Sequence, residues 1–66
     1  MAHSIVFRGY RINIFETDNG WSYDFVVDGS LYSDYQFTTW QLAETVARKK
    51  VKAALRKASK VIKGHV

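Results

Sequence analysis

The chemistry open to this chain lies in its cations and its aromatic rings. Eight of its ten Lys and Arg residues fall in the last third: Arg48, Lys49, Lys50, Lys52, Arg56, Lys57, Lys60 and Lys63. Cations at that density suit phosphate recognition. Each charge laid along a nucleic-acid backbone releases condensed counterions and gives affinity with little base readout. The aromatic residues, four Phe, four Tyr and two Trp, all lie between Phe7 and Trp40. Rings exposed on a sheet stack unpaired bases. Catalytic ingredients are sparse by comparison. His3 and His65 stand at opposite ends, Asp18 and Asp28 sit in turn sequences, and Ser4, Ser22, Ser30, Ser33 and Ser59 are scattered. No nucleophile elbow, glycine-rich phosphate loop or metal-ligand spacing is readable. Cysteine is absent, which removes disulfides and thiolate ligands together. The expectation is a protein that is not an enzyme and carries no metal or cofactor.

The charge is unevenly placed. Residues 1–44 hold two bases and six acids, whereas residues 45–66 hold eight bases and no acid. The apolar runs are short, Ile5-Val6-Phe7 and Phe25-Val26-Val27 being typical, against the roughly 20 residues a bilayer-crossing helix needs. No secretory leader is recognisable, so a cytoplasmic location is expected. Sixty-six residues suffice for one domain near the lower size at which a core outweighs chain entropy. The chain is therefore read as a single domain, with a sheet over 4–37 and a helix over 38–63.

The elements that must position these residues follow from periodicity. Ser4–Phe7 and Tyr10–Thr17 read as strands, and Arg8-Gly9 between them shifts the apolar parity from odd to even. That shift fits a β-bulge in one long strand, which is favoured, or a tight turn between two. Asp18-Asn19-Gly20 is a hairpin signal, because Asn-Gly accepts positive φ. Trp21, Tyr23, Phe25 and Val27 then share one face of a strand ending at the Asp28-Gly29 turn. In the strand Leu31–Phe37, alternation assigns Leu31, Tyr35 and Phe37 to the core and Tyr32, Asp34 and Gln36 to the other side. Thr38 with Gln41 matches a helix capping box, and Gly64 suits a C-cap. At 100° per residue, Trp40, Ala43, Ala47, Val51, Ala54, Leu55, Ala58, Val61 and Ile62 form an apolar stripe. Arg48, Lys49, Lys52, Arg56, Lys60 and Lys63 cover the opposite face, with Lys50 and Lys57 flanking the stripe. The fold expected is α+β: an antiparallel meander of three strands, or four if Arg8-Gly9 is a turn, with one long C-terminal helix on one face. Its core would take most of the rings, Tyr10, Tyr35 and Trp40 among them.

A helix of about 25 residues spans roughly 37 Å, and strands of this length reach only about 20 to 27 Å. The last turns should therefore overhang the sheet and expose Ala58, Val61 and Ile62, which a second copy would cover. Exposed Lys and Arg commonly do no more than solvate a helix. Here Glu44 is the only carboxylate on the helix, and Arg48, Lys52, Arg56 and Lys60 repel one another at i,i+4. Nucleic acid is the favoured partner, through Arg48, Lys49, Lys52, Arg56, Lys60 and Lys63. The alternative is protein contact or a homodimer through Phe15, Val26 and Tyr32, or through Val61 and Ile62, the charge then serving solubility or an acidic partner. A membrane surface is disfavoured, because lipid-inserting faces are rich in Leu, Phe and Trp whereas this stripe is mostly Ala and Val.

Three resemblances bear on this reading. Ala47–Leu55, ARKKVKAAL, resembles the second helix of double-stranded RNA-binding domains, in which a Lys-Lys pair opens the helix. Here Lys49-Lys50 lies about ten residues inside it, and that family's first helix has no counterpart. A meander followed by one helix is also similar to the phage-integrase arm-binding domains, which read DNA with arginines on the outer sheet face, where this chain places Arg11 among acids. The run HSIVFRGYRINIFETDNGWSYDFVVDG leading into a terminal helix looks most like small uncharacterised bacterial proteins that begin with an R-G-Y/F-R-I strand and a D/N-G-W hairpin. That resemblance implies a fold and no activity.

Overall fold

A computed structural model describes the backbone of residues 2–63 and the side chains of residues 2–58. Four strands, β1 (Ala2–Phe7), β2 (Tyr10–Thr17), β3 (Gly20–Val27) and β4 (Ser30–Phe37), precede one helix, α1 (Trp40–Lys63). The strands form a single antiparallel sheet in the order β1-β2-β3-β4. The architecture is thus α+β, with α1 packed on one face of the sheet.

Local sequence explains the connections. Arg8 and Gly9 have φ of 54° and 84° and join the paired residues Phe7 and Tyr10. Two successive positive φ angles make the tight hairpin that matches strand twist, so Arg8-Gly9 is a turn and not the favoured bulge. Asp28-Gly29 repeats the device with φ of 53° and 78°. Between β2 and β3 the positive φ falls on Gly20, at 123°. There the Thr17 hydroxyl donates to the Gly20 carbonyl at 2.8 Å and accepts from the Asn19 N–H at 3.3 Å.

The bulge lies instead in β4. Trp21 pairs with Phe37 and Tyr23 with Asp34, so Tyr35 and Gln36 together oppose Ser22. Gln36 takes φ of 72°, and the Asp34 carboxylate accepts the Tyr35 N–H at 2.8 Å. This extra residue inverts the assignment of faces. Tyr32 turns to the core and stacks on Phe25, with centroids 5.2 Å apart, while Leu31 and Tyr35 are 68% and 66% exposed. Phe37, beyond the bulge, returns to the core side as expected.

Ile12, Ile14, Tyr23, Phe25 and Val27 from the sheet are buried against Ala43, Ala47, Val51 and Ala54 of α1. Tyr23 stacks on Phe25 and on Phe37, each at 5.8 Å, so the rings form a row beneath the helix. Alanines suit the facing stripe, since small side chains let α1 lie close on a ring-filled sheet. Each fully buried Ile, Val or Phe contributes about 1.5–3 kcal/mol. Trp40 is more exposed than the stripe implied: it lies at the helix start, edge-on to His3 at 5.4 Å.

The helix cap is Thr39, not Thr38. Its hydroxyl accepts the Leu42 N–H at 3.1 Å and its carbonyl the Ala43 N–H at 3.2 Å. Both threonines satisfy the capping preference, but the third helical position from Thr39 is Leu42, so no capping box forms. Twenty-four residues make a helix of about 36 Å, against about 27 Å for an eight-residue strand. The surplus of roughly six residues begins near Ala58. The side chains of Lys60, Val61, Ile62 and Lys63, and the expected C-cap at Gly64, lie outside the described residues.

Candidate nucleic-acid interface

The helix positions four of the expected cations directly: Arg48, Lys49, Lys52 and Arg56 are all exposed on α1, away from the buried stripe. Lys60 and Lys63 continue that face in sequence. Glu44 forms an i,i+4 ion pair with Arg48, whose side chain remains about half exposed, so one acid partly offsets one base. Such a surface pair adds at most about 1 kcal/mol and is screened by salt.

The strands bring two further residues to this face. Phe7, the last residue of β1, is half-buried against the core. Three cations surround its ring: Arg8 Cζ at 5.5 Å from the centroid, Arg48 Cζ at 6.0 Å and Lys52 Nζ at 6.0 Å. The electron-rich ring faces attract each of them, by about 0.5–1 kcal/mol at exposed sites. The tight hairpin is what makes this possible. It throws Arg8, forty residues from Arg48 in sequence, onto the end of the sheet beside the helix. Neither Phe7 nor Arg8 was among the expected contacts. The signal was present: Arg8-Gly9 read as a turn puts the arginine at a sheet end, and odd parity in β1 puts Phe7 on the helix side.

The opposite sheet face has a different character. Asn13 donates to the Asp24 carboxylate at 2.7 Å, and Phe15 lines a shallow groove of about 440 Å³ with Leu31, Ser33 and Tyr35. Val26 is exposed beside Leu31 on the same face. Phe15 and Val26 thus share a surface, while Tyr32 is removed from it to the core side. There it lines a second hollow, of about 230 Å³, with Val27, Ala54, Lys57 and Ala58.

Burial raises the Tyr23 phenol above its ordinary value, and the nearby Asp34 carboxylate adds to the effect. Tyr23 therefore stays neutral and serves the core. Among the described residues no three His, Cys, Asp or Glu side chains gather as a metal site would require, and no helix is long and apolar enough to cross a membrane. Compared with protein-family models, with curated proteins and with solved structures, the chain matches none.

Proposed function

We propose that this is a non-enzymatic nucleic-acid-binding protein whose cationic helix face, extended by Arg8, engages backbone phosphates. The observation that carries the reading is the gathering of Arg8, Arg48 and Lys52 around Phe7. A fold that holds three like charges together on one surface, offset among the described residues by the Glu44–Arg48 pair, is poised for a polyanion. Arg48, Lys52 and Arg56 recur at about 6 Å intervals along the helix. Over roughly 12 Å they cover three to four phosphates of one strand at 3.4 Å rise each. Lys49 widens the same face, and Lys60 and Lys63 continue its spacing in sequence. Base identity matters little, because the contacts are to phosphate. A cytoplasmic location belongs to the same proposal.

Titration of fluorescent duplex and single-stranded oligonucleotides at about 50 mM salt tests it. Binding that weakens in Lys49→Gln/Lys52→Gln/Arg56→Gln, with the fold intact, is the expected result. Failure of the unmodified chain to bind either oligonucleotide removes the proposal. A second reading, protein contact through the outer sheet face, is favoured by the exposure of Val26, Leu31 and Tyr35 beside Phe15. Lysine placed at Leu31 should abolish such contact and leave phosphate binding alone.

A further inference from the structure

We propose that a second copy of this chain pairs along the free edge of β1, antiparallel and about a two-fold axis, so that two sheets become one. This is independent of the nucleic-acid reading. β1 and β4 are the two edges of the sheet, and the chain treats them differently. β4 is interrupted by the Tyr35-Gln36 bulge and carries Asp34. Bulges and edge charges are the usual guards against strand addition. β1 has neither. Its register against β2 is unbroken over Ala2–Phe7, and its sequence AHSIVF contains no proline, lysine or acid. The helix does not shield it, since α1 rests mainly on β3, β2 and β4.

Hairpin geometry identifies the open groups. Phe7 and Tyr10 flank a two-residue turn and so exchange hydrogen bonds with each other. By antiparallel alternation Phe7, Ile5 and His3 direct their N–H and C=O toward β2, while Val6, Ser4 and Ala2 direct theirs outward. Val6 is also 70% exposed. A row of alternating donors and acceptors calls for another strand, and the same strand satisfies it. Residues directly opposite must share a face, which a two-fold axis through Ile5 achieves. Ser4 of each copy then exchanges hydrogen bonds with Val6 of the other on the outer face. Ile5 meets Ile5, and His3 meets Phe7, on the helix face. The one titratable side chain within Ala2–Phe7 is His3, and Arg8 falls opposite Ala2; the cations gathered at Phe7 stand more than a Debye length from those of the other copy, so at about 0.15 M salt their repulsion is screened. A six-residue edge is only about 20 Å long, so the interface lies at the small, weak end of specific association. The dimer is accordingly reversible. It sets the two Phe7 clusters about 14 Å apart along the strands, on one side of a continuous sheet.

Sedimentation equilibrium of the full chain, from about 5 μM to about 1 mM, tests this by mass action. The mean mass should rise from 7.6 kDa toward twice that value. Ser4→Pro removes one outward N–H at a position where an edge strand tolerates proline, and Val6→Lys places an edge charge. Each should stay monomeric throughout, with the circular dichroism of the unmodified chain. Leu31→Lys, on the outer face away from β1, should associate normally. An unchanging 7.6 kDa mass in the unmodified chain, dimers that persist in Val6→Lys, or dimers lost in Leu31→Lys would each overturn the proposal. Should Ser4→Pro not fold, Val6→Lys decides alone.

Discussion

Replacing Gly20 by alanine asks more of this sheet than replacing Gly9 or Gly29. At φ 123°, a Cβ on Gly20 would stand 2.6 Å from the Phe37 carbonyl oxygen and 3.5 Å from the carbonyl carbons of Gln36 and Phe37. Both sides of that contact are backbone, so neither can rotate away. Relief requires opening the β3–β4 ladder where the Tyr35-Gln36 bulge already interrupts it. The φ strain costs about 1–3 kcal/mol and the overlap about as much again, giving roughly 2–6 kcal/mol. A chain of this length is stable by about 3–10 kcal/mol, so the variant should be severely weakened or unfolded. Gly9 is the matched control: its φ is 84° but nothing lies within 4 Å of the added carbon. Gly9→Ala should therefore cost only the left-handed penalty, about 1–2 kcal/mol. Urea unfolding followed by Trp21 and Trp40 fluorescence compares the two directly. Equal midpoints for Gly20→Ala and Gly9→Ala would refute the close approach of β3 and β4 at the bulge.

Other outcomes follow from single contacts. Thr39→Ala should cost about 1 kcal/mol through loss of the cap to Leu42, and Thr38→Ala less than about 0.5 kcal/mol; thermal melts distinguish them, and the reverse order would return the cap to Thr38. Arg8→Asn keeps a residue suited to φ 54° while deleting a cation. It should leave stability equal or higher by up to about 1 kcal/mol, and reduce the salt slope of oligonucleotide binding by about 0.9. An unchanged slope would remove Arg8 from the interface. The raised Tyr23 phenol sets an alkaline limit. Below pH about 10 both states keep the proton; above it the unfolded chain ionises first, so stability falls as pH rises through the higher folded value. Urea midpoints at rising pH should decline less steeply in Tyr23→Phe, and parallel declines would contradict the assignment.

Much of the fold was legible because its signals are local. The helix stripe of Ala43, Ala47, Val51 and Ala54, the turns at Asp18-Asn19-Gly20 and Asp28-Gly29 and the core face of β3 all follow from spacing that neighbours determine. The face assignment of β4 was not legible. Alternation in LYSDYQF is ambiguous once an extra residue can be absorbed, and only pairing with Trp21 and Tyr23 reveals that Tyr35 and Gln36 together oppose Ser22. The Thr38-Thr39 pair hid the cap for a similar reason, because either residue serves chemically and the end of β4 decides. At the candidate site, the helical cations were visible as one face of a 3.6-residue repeat. The contribution of Phe7 and Arg8 required knowing that Arg8-Gly9 is a turn, since a bulge would have carried the arginine along a continuing strand and away from Arg48 and Lys52.

The dependence of oligonucleotide affinity on salt tests the functional account most directly. With Arg48 partly held by Glu44, Arg8, Arg48, Lys49, Lys52 and Arg56 amount to about four to five phosphate contacts, for a logarithmic slope near −3.6 to −4.5 on duplex DNA. Raising salt from about 50 to about 200 mM should then weaken binding roughly 150- to 500-fold, with little difference between base sequences. A slope near zero, or no binding at the lower salt, would contradict the account.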